Sequence, residues 1–381
     1  MNNQRADNQV SLTEIALVFL KLGTIAFGGP AAHIAMMEDE FVRKRHWITE
    51  ADFLDRLGAA NLIPGPSSTE LAIFIGHSKR GWAGLIVAGS CFIVPAAVLV
   101  SLIAAAYVRF GSLPQMAGIL YAIKPAVIAV IVQALGGLVR TAAKTKLLVV
   151  IAVVCTVLSF RGVSPLLVLG FAGIASALPV VWKRNQQVVL SVSALGPMVV
   201  AAAASLAPPV SIIQLFLSFL KVGAVVFGSG YVLLAFLRAE FIDRLHWLSE
   251  KQLIDAVAVG QFTPGPVFTT ATFIGYVLAG IPGALVSTLG IFLPGFVLVA
   301  ASGPLIPKLR RSRIASAVLD GVVVGSLALM MVVAWQLGRA AVVDWLTTLI
   351  LIVSLVLLVR FRLNSAWLIA GAALVGWVAK I

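Results

Sequence analysis

Long apolar runs separated by short polar clusters dominate the chain. Gly84–Tyr107, Leu147–Phe160, Pro165–Trp182, Gly283–Ile306 and Leu346–Val359 contain no charged residue. A helix that crosses a bilayer needs about 20 apolar residues. Lipid cannot satisfy free backbone groups, so helix is the form these runs take. The length rule predicts about ten to thirteen crossings.

Other segments are apolar but interrupted. Ser11–Phe27 is short and stops at Gly28-Gly29-Pro30, and a more polar helical stretch follows to about Val42. Thr49 reads as an N-cap, with Glu50 and Asp52 in the first turn. The helix it opens runs to Leu62 and is cut by Pro64-Gly65-Pro66. Proline ends the helix before it and suits the first turn of the next. A new helix therefore starts at Pro66 or Ser67 and runs to about His77. Each flank is too short to cross alone, and basic residues lie on both sides (Arg43–Arg45 and Lys79-Arg80). The motif reads as a re-entrant helical hairpin with its tip near mid-membrane.

The chain repeats itself. Phe19-Leu20-Lys21 with Gly23 returns as Phe219-Leu220-Lys221 with Gly223. Phe27-Gly28-Gly29 returns as Phe227-Gly228-Ser229, and Glu40-Phe41 as Glu240-Phe241. His46-Trp47, Asp55 and Pro64-Gly65-Pro66 return as His246-Trp247, Asp255 and Pro264-Gly265-Pro266. The offset is 200 (264 − 64), slipping to 199 by Phe74 and Phe273 and staying there at Pro95 and Pro294. This predicts a first repeat over 1–187, a linking span over 188–208 and a second repeat over 209–381.

Composition narrows the class. Of 381 residues, 60% are hydrophobic and 11% charged, with mean hydropathy +1.05. A soluble domain is closer to a quarter charged. The net charge of +13 is not gathered on one face, which argues against a nucleic-acid partner. The basic residues sit in clusters between apolar runs, as cytoplasmic loops do. Cys91 and Cys155 lie inside apolar stretches, so neither a disulfide framework nor a metal site is expected. Met1–Val10 lacks a signal-peptide pattern.

Charge also orients the halves. In the first, the basic loops are Arg43–Arg45, Lys79-Arg80, Arg140/Lys144/Lys146 and Lys183-Arg184. In the second the pattern is exchanged. Tyr276–Pro282 is uncharged, whereas the loops with Lys308, Arg310, Arg311 and Arg313, and with Arg360 and Arg362, are basic. If basic loops face the cytoplasm, the halves are inserted upside down relative to each other. The expected fold is an all-α integral membrane protein, an inverted-topology repeat with re-entrant helical hairpins, as in many secondary transporters. A parallel duplication is the alternative. The N-terminus is placed in the cytoplasm and the C-terminus in the periplasm.

A half-helix starting at membrane depth points free N–H groups and a positive dipole end into a cavity, a ready anion site. Ser67, Ser68 and Thr69 fall in the first turn of one such helix, and Thr269 and Thr270 near the start of the other. Their hydroxyls either donate to an oxyanion or bond back to their own helix. Lys21 and Lys221 are repeat-matched charges deep in apolar segments, which marks a functional position unless the side chains snorkel. Lys124 is a third candidate. A Lys124–Asp320 pair, at an offset of 196 (320 − 124), would neutralise both. Glu70, one turn into the hairpin helix, is a candidate proton carrier, because a carboxyl in a dry cavity alternates between protonated and ionised forms. Glu40 fits an interfacial ion-pair network, and the two His-Trp pairs fit interfacial anchors.

Phe27-Gly28-Gly29-Pro30, the Glu40 to Trp47 region, Pro64-Gly65-Pro66 and their second copies resemble the chromate ion transporter family, in its long form with two fused homologous domains. The similarity covers essentially the whole chain. It implies a transporter and not an enzyme. It implies proton-driven antiport of chromate out of the cytoplasm, across a bacterial inner membrane, with chromate resistance as the outcome. No cofactor is implied. The expected partners are chromate, sulfate as its analogue, the lipid bilayer and a second copy of the chain as a homodimer. The substrate-binding set would be Lys21, Gly28, Gly29, Lys124, Lys221, Gly228, Ser229, both Pro-Gly-Pro tips and the hydroxyls beside them. Ser229 departs from the three glycines common at that turn. A sulfate carrier, a passive anion channel and a membrane-embedded reductase are the competing readings.

Overall fold

The computed structural model describes residues 10–27, 29–111, 114–142, 144–184, 210–227, 232–302, 312–361 and 363–378. Gly28, Gly228, Ser229, the linking span 188–208 and the basic residues Lys308, Arg310, Arg311 and Arg362 lie outside these. Among the described residues the regular structure is all helical. The first half holds α1 (Leu12–Ile25), α2 (Gly29–Glu38), a π-helical turn (Asp39–Lys44), α3 (Glu50–Ala60), α4 (Ser67–Phe110), α5 (Pro114–Ala142), α6 (Lys146–Phe160) and α7 (Pro165–Arg184). The second half repeats the order. It holds α8 (Ile212–Val225), α9 (Leu233–Leu237), a π-helical turn (Arg238–Arg244), α10 (Glu250–Phe262), α11 (Thr270–Ser302), α12 (Arg313–Ala341), α13 (Trp345–Arg360) and α14 (Ser365–Val378).

Among the described residues, five helical stretches are long and apolar enough to cross a membrane: Ser67–Phe110, Gly118–Val139, Pro165–Trp182, Val267–Ser302 and Arg313–Ala341. Leu102, Val150, Val157, Ile213, Leu285 and Val359 point outward, each more than half exposed. So broad an apolar exterior suits lipid rather than water.

Local chemistry starts several helices. Thr49 accepts the Asp52 amide at 3.1 Å and caps α3. Ser249 and Gln252 close a reciprocal capping box on α10, satisfying two otherwise free amides. The helix opened by Thr49 stops at Ala60, two residues before the expected end, and the polar stretch before it widens into a π-helical turn.

The loop expected at Lys79-Arg80 is a sharp break inside α4. Arg80 (φ −139°, ψ 26°) and Gly81 (φ 54°, ψ −138°) leave helical geometry, and the chain folds back on itself. A Cβ on Gly84 would lie 2.1 Å from the Gly76 carbonyl oxygen. Ala279 and Gly280 repeat the break in α11, and a Cβ on Gly275 would lie 2.3 Å from the Gly283 carbonyl oxygen. Helix α3, of 11 residues, and the first limb of α4 are each about 20 Å long or less. Both fall short of the roughly 30 Å hydrocarbon core, as a re-entrant hairpin requires.

The halves are interleaved. In the centre α1 packs on α4, α8 on α11, and α4 on α11. Outside it, α6 and α7 leave their own half to pack on α12, while α13 and α14 pack on α5. Small residues permit this. A Cβ on Gly321 of α12 would lie 2.2 Å from the Ala172 carbonyl oxygen of α7, and one on Gly376 of α14 would lie 2.2 Å from that of Gly118 in α5. Ser176 of α7 adds a hydrogen bond to the Ala317 carbonyl at 2.6 Å.

The two backbone reversals depend on glycine pairs too tight for any side chain. Gly76→Val or Gly275→Val should destabilise the protein by about 1–3 kcal/mol, the usual cost of overpacking. Thermal unfolding of the purified protein in detergent checks this, with an unchanged midpoint as the contrary result.

Candidate functional site

Both Pro-Gly-Pro tips are seated on the opposite half. The Gly65 amide donates to the Val226 carbonyl at 2.6 Å, and the Gly265 amide donates to the Ala26 carbonyl at 2.9 Å. Ala26 and Val226 are the C-caps of α1 and α8, both in extended conformation. Each short helix thus ends inside the protein, and its cap carbonyl is met by the tip from the other half. Gly65 (φ +131°) and Gly265 (φ +87°) occupy backbone conformations that favour glycine.

The same exchange extends to the proline-bearing limbs of α4 and α11. A Cβ on Gly265 would lie 2.7 Å from Cβ of Ala96, one residue after Pro95. A Cβ on Gly65 would lie 1.7 Å from Glu70 Oε1, and one on Gly295, one residue after Pro294, would lie 3.4 Å from that atom. The Glu70 carboxyl therefore fills the space between its own tip and α11.

The two tips differ in their hydroxyls. Ser67, Ser68 and Thr69 are buried in the first turn of α4, which Pro66 opens without a side-chain cap. The Thr69 and Glu70 amides turn back to the Pro66 carbonyl, leaving those of Ser67 and Ser68 ahead of the first intrahelical bond. Thr69 Oγ1 and both Glu70 carboxyl oxygens are buried without a hydrogen-bond partner. Ser68 Oγ lies 3.2 Å from His33 Nδ1. In the second half a 3-10 turn, Val267–Thr269, precedes α11. Thr269 donates to the Pro266 carbonyl and Thr270 to that of Val267, both at 2.8 Å. These two hydroxyls bond back to their own turn, one of the two arrangements expected for them.

Every candidate lysine stands near a carboxylate. Lys21 Nζ lies 3.9 Å from Glu40 and Lys221 Nζ 2.8 Å from Glu240. Both lysine side chains are about half exposed, whereas both glutamates are nearly buried. The π-helical turns hold the glutamates in place, and Arg45 and Arg244 complete the two clusters. Lys124 does not pair with Asp320. It lies 3.5 Å from Asp255 of α10, and Tyr107 of α4 donates to the same carboxylate at 3.0 Å. Asp320 instead pairs with Lys144 at 2.8 Å. The reason is packing: α5 carries Lys124 against α10, and a buried carboxylate draws the cation within reach.

Local sequence does not mark His33 or the Asp255–Tyr107 contact as site features. The available signal was a break in the repeat. Leu233 stands where His33 would recur, and Val323 where Lys124 would.

A family model described as chromate transporter matches residues 13–177 and matches again over 213–377. The chain belongs to the chromate transporter family. It is 34% identical over 375 residues to the chromate transport protein of Cupriavidus metallidurans, covering 97% of this chain and 93% of that one. It is 30% identical to a probable chromate transport protein of Synechococcus elongatus (91% and 89% covered) and 29% identical to the chromate transport protein of Pseudomonas aeruginosa (97% and 92%). No solved structure matches the chain. The double family match coincides with the internal duplication, so the repeat belongs to the family's plan. Membership makes the chain a multi-pass membrane transporter rather than an enzyme.

The Lys124–Asp255 contact ties the second hairpin to α5. Lys124→Ala leaves a buried carboxylate without its counter-charge and should cost about 3–5 kcal/mol. A Lys124→Met/Asp255→Leu double variant should recover most of that. Thermal unfolding of the three proteins checks the pair, and a double variant no more stable than Lys124→Ala would speak against it.

Proposed function

We propose that the chain exports chromate from the cytoplasm across a bacterial inner membrane, driven by the proton motive force, and so confers chromate resistance. The observation that carries this reading is the pair of tips, each holding its glycine amide on the other half while the α4 tip keeps buried, unpartnered polar atoms. Chromate is a tetrahedral dianion. The Ser67 and Ser68 amides, the Thr69 hydroxyl and the positive end of α4 supply donors for its oxygens without adding a fixed charge. Gly29, Pro64, Pro66, Pro264 and Pro266 shape the turns around this point, and Thr269 and Thr270 line the opposite tip. Lys21, Lys221 and Lys124 contribute positive potential from their ion pairs. Glu70 carries the coupling proton.

The exchanged pattern of basic loops supports an inverted arrangement of the halves, with the N-terminus cytoplasmic and the C-terminus periplasmic. Alternating exposure of the central tips then follows from rocking one half against the other. A sulfate or other oxyanion carrier is the second reading, because neutral amide and hydroxyl donors serve any tetrahedral dianion.

Energised inside-out vesicles should accumulate labelled chromate above empty vesicles, and a protonophore should prevent it. Chromate should outpace sulfate at equal concentration; the reverse order establishes the second reading. Glu70→Gln should leave uptake indifferent to an imposed pH gradient that speeds the wild type several-fold. A retained response removes Glu70 from the coupling role. Gly65→Leu or Gly265→Leu should lower transport about tenfold or more, since the backbone can no longer approach at the tip.

A further inference from the structure

His33 is buried on α2 at the junction of the two tips. Its Nε2 lies 3.0 Å from the Ala26 carbonyl oxygen, its Nδ1 lies 3.2 Å from Ser68 Oγ, and the ring meets Phe92 edge-on at 5.7 Å. The Ala26 carbonyl also accepts the Gly265 amide. One chain of hydrogen bonds therefore runs from the second tip, through a carbonyl and an imidazole, to the first turn of α4. The second half has no counterpart of the ring, since Leu233 stands at that position.

The bond directions can be deduced. A carbonyl only accepts, so Nε2 carries a hydrogen. In the neutral ring Nδ1 then bears a lone pair, and the Ser68 hydroxyl donates to it. Held this way, Ser68 presents oxygen lone pairs to the tip and repels an anion. A proton on Nδ1 reverses the bond: the ring donates to Ser68 Oγ, and the hydroxyl hydrogen is freed to point at a ligand.

We infer that His33 is a proton-gated positioning residue, so that an oxyanion binding at the α4 tip takes up one proton on His33 Nδ1 and thereby gains Ser68 as a donor. The inference rests on the oxyanion reading above and adds the means by which the site senses its ligand's charge. The elements packed against α2 are α1, α4 and the first π-helical turn. Their charged groups near this end are engaged with one another: Lys21 with Glu40, Glu14 with Arg45, and Lys44 with Asp39, while Arg43 holds Glu38 of α2 itself. Glu70, two residues beyond Ser68, is the unpartnered titratable group of that turn. A buried imidazolium is costly alone, and the arriving anion supplies its counter-charge. The proton comes from water and returns to water when the anion leaves.

Proton uptake can be counted by titration calorimetry of the purified protein with chromate, in mildly alkaline buffers of different ionisation enthalpy where the ligand is a full dianion. The wild type should take up about one proton per anion bound. His33→Gln and Ser68→Ala should bind about tenfold more weakly, the worth of one charge-assisted donor, and take up none. Ser68→Ala keeps the ring-to-carbonyl bond and stays informative if His33→Gln folds poorly. Glu70→Gln should still take up the proton. Binding without proton uptake by the wild type, or undiminished uptake by folded Ser68→Ala, overturns the inference. So does uptake lost in Glu70→Gln but kept in His33→Gln. Folded wild-type protein that binds no chromate at all overturns the oxyanion reading itself.

Discussion

A backbone group inside a membrane must find a partner within the protein, because lipid offers none. This chain breaks its helices at membrane depth and meets the requirement by exchange. Helices α1 and α8 stop short, and each cap carbonyl receives the glycine amide of the other half's hairpin tip. Neither half satisfies itself there. Pro95 and Pro294 belong to the same arrangement, since the residue after each lies against the hairpin of the opposite half. What joins the two repeats at their centre is mutual satisfaction of polar groups that would be unstable alone.

Duplication supplies that frame, and departures from it supply the chemistry. The second tip closes its threonines onto its own turn, whereas the first leaves Thr69 and Glu70 unpartnered and ties Ser68 to an imidazole. Asp255 is buried against Lys124 and Tyr107, whereas its repeat partner Asp55 is exposed. A perfectly symmetric pair of tips would bind an anion equally from either half. The differences give the two hairpins separate tasks, one holding polar atoms in reserve and the other latched by an ion pair.

Much of this was legible in the amino-acid order. Apolar runs without charge announced the membrane helices, and Pro-Gly-Pro placed twice at a fixed offset announced the hairpins, because proline and glycine act through local backbone geometry. The Thr49 cap was readable for the same reason. Partners set by tertiary packing were not. Lys124 pairs with Asp255 rather than Asp320 because α5 lies on α10, a fact absent from any local window. The π-helical turns at Asp39–Lys44 and Arg238–Arg244 were invisible because their sequences suit an ordinary helix. They appear only where Glu40 and Glu240 must turn toward their lysines. His33 looked like one polar residue in a modest helix, and its meaning depends on Ser68, 35 positions later.

The crossing of α6–α7 onto α12, and of α13–α14 onto α5, has a consequence for biogenesis. When the ribosome has released the first repeat, α5 still lacks its covering helices, and α6 and α7 have only each other to pack on. The α7 face stays open in the bilayer until α12 inserts, and the α5 face until the last helices do. Assembly is therefore a late, concerted closure of long sequence separations, a slow kind of step. Two repeats made as separate polypeptides would have to find each other before either could settle.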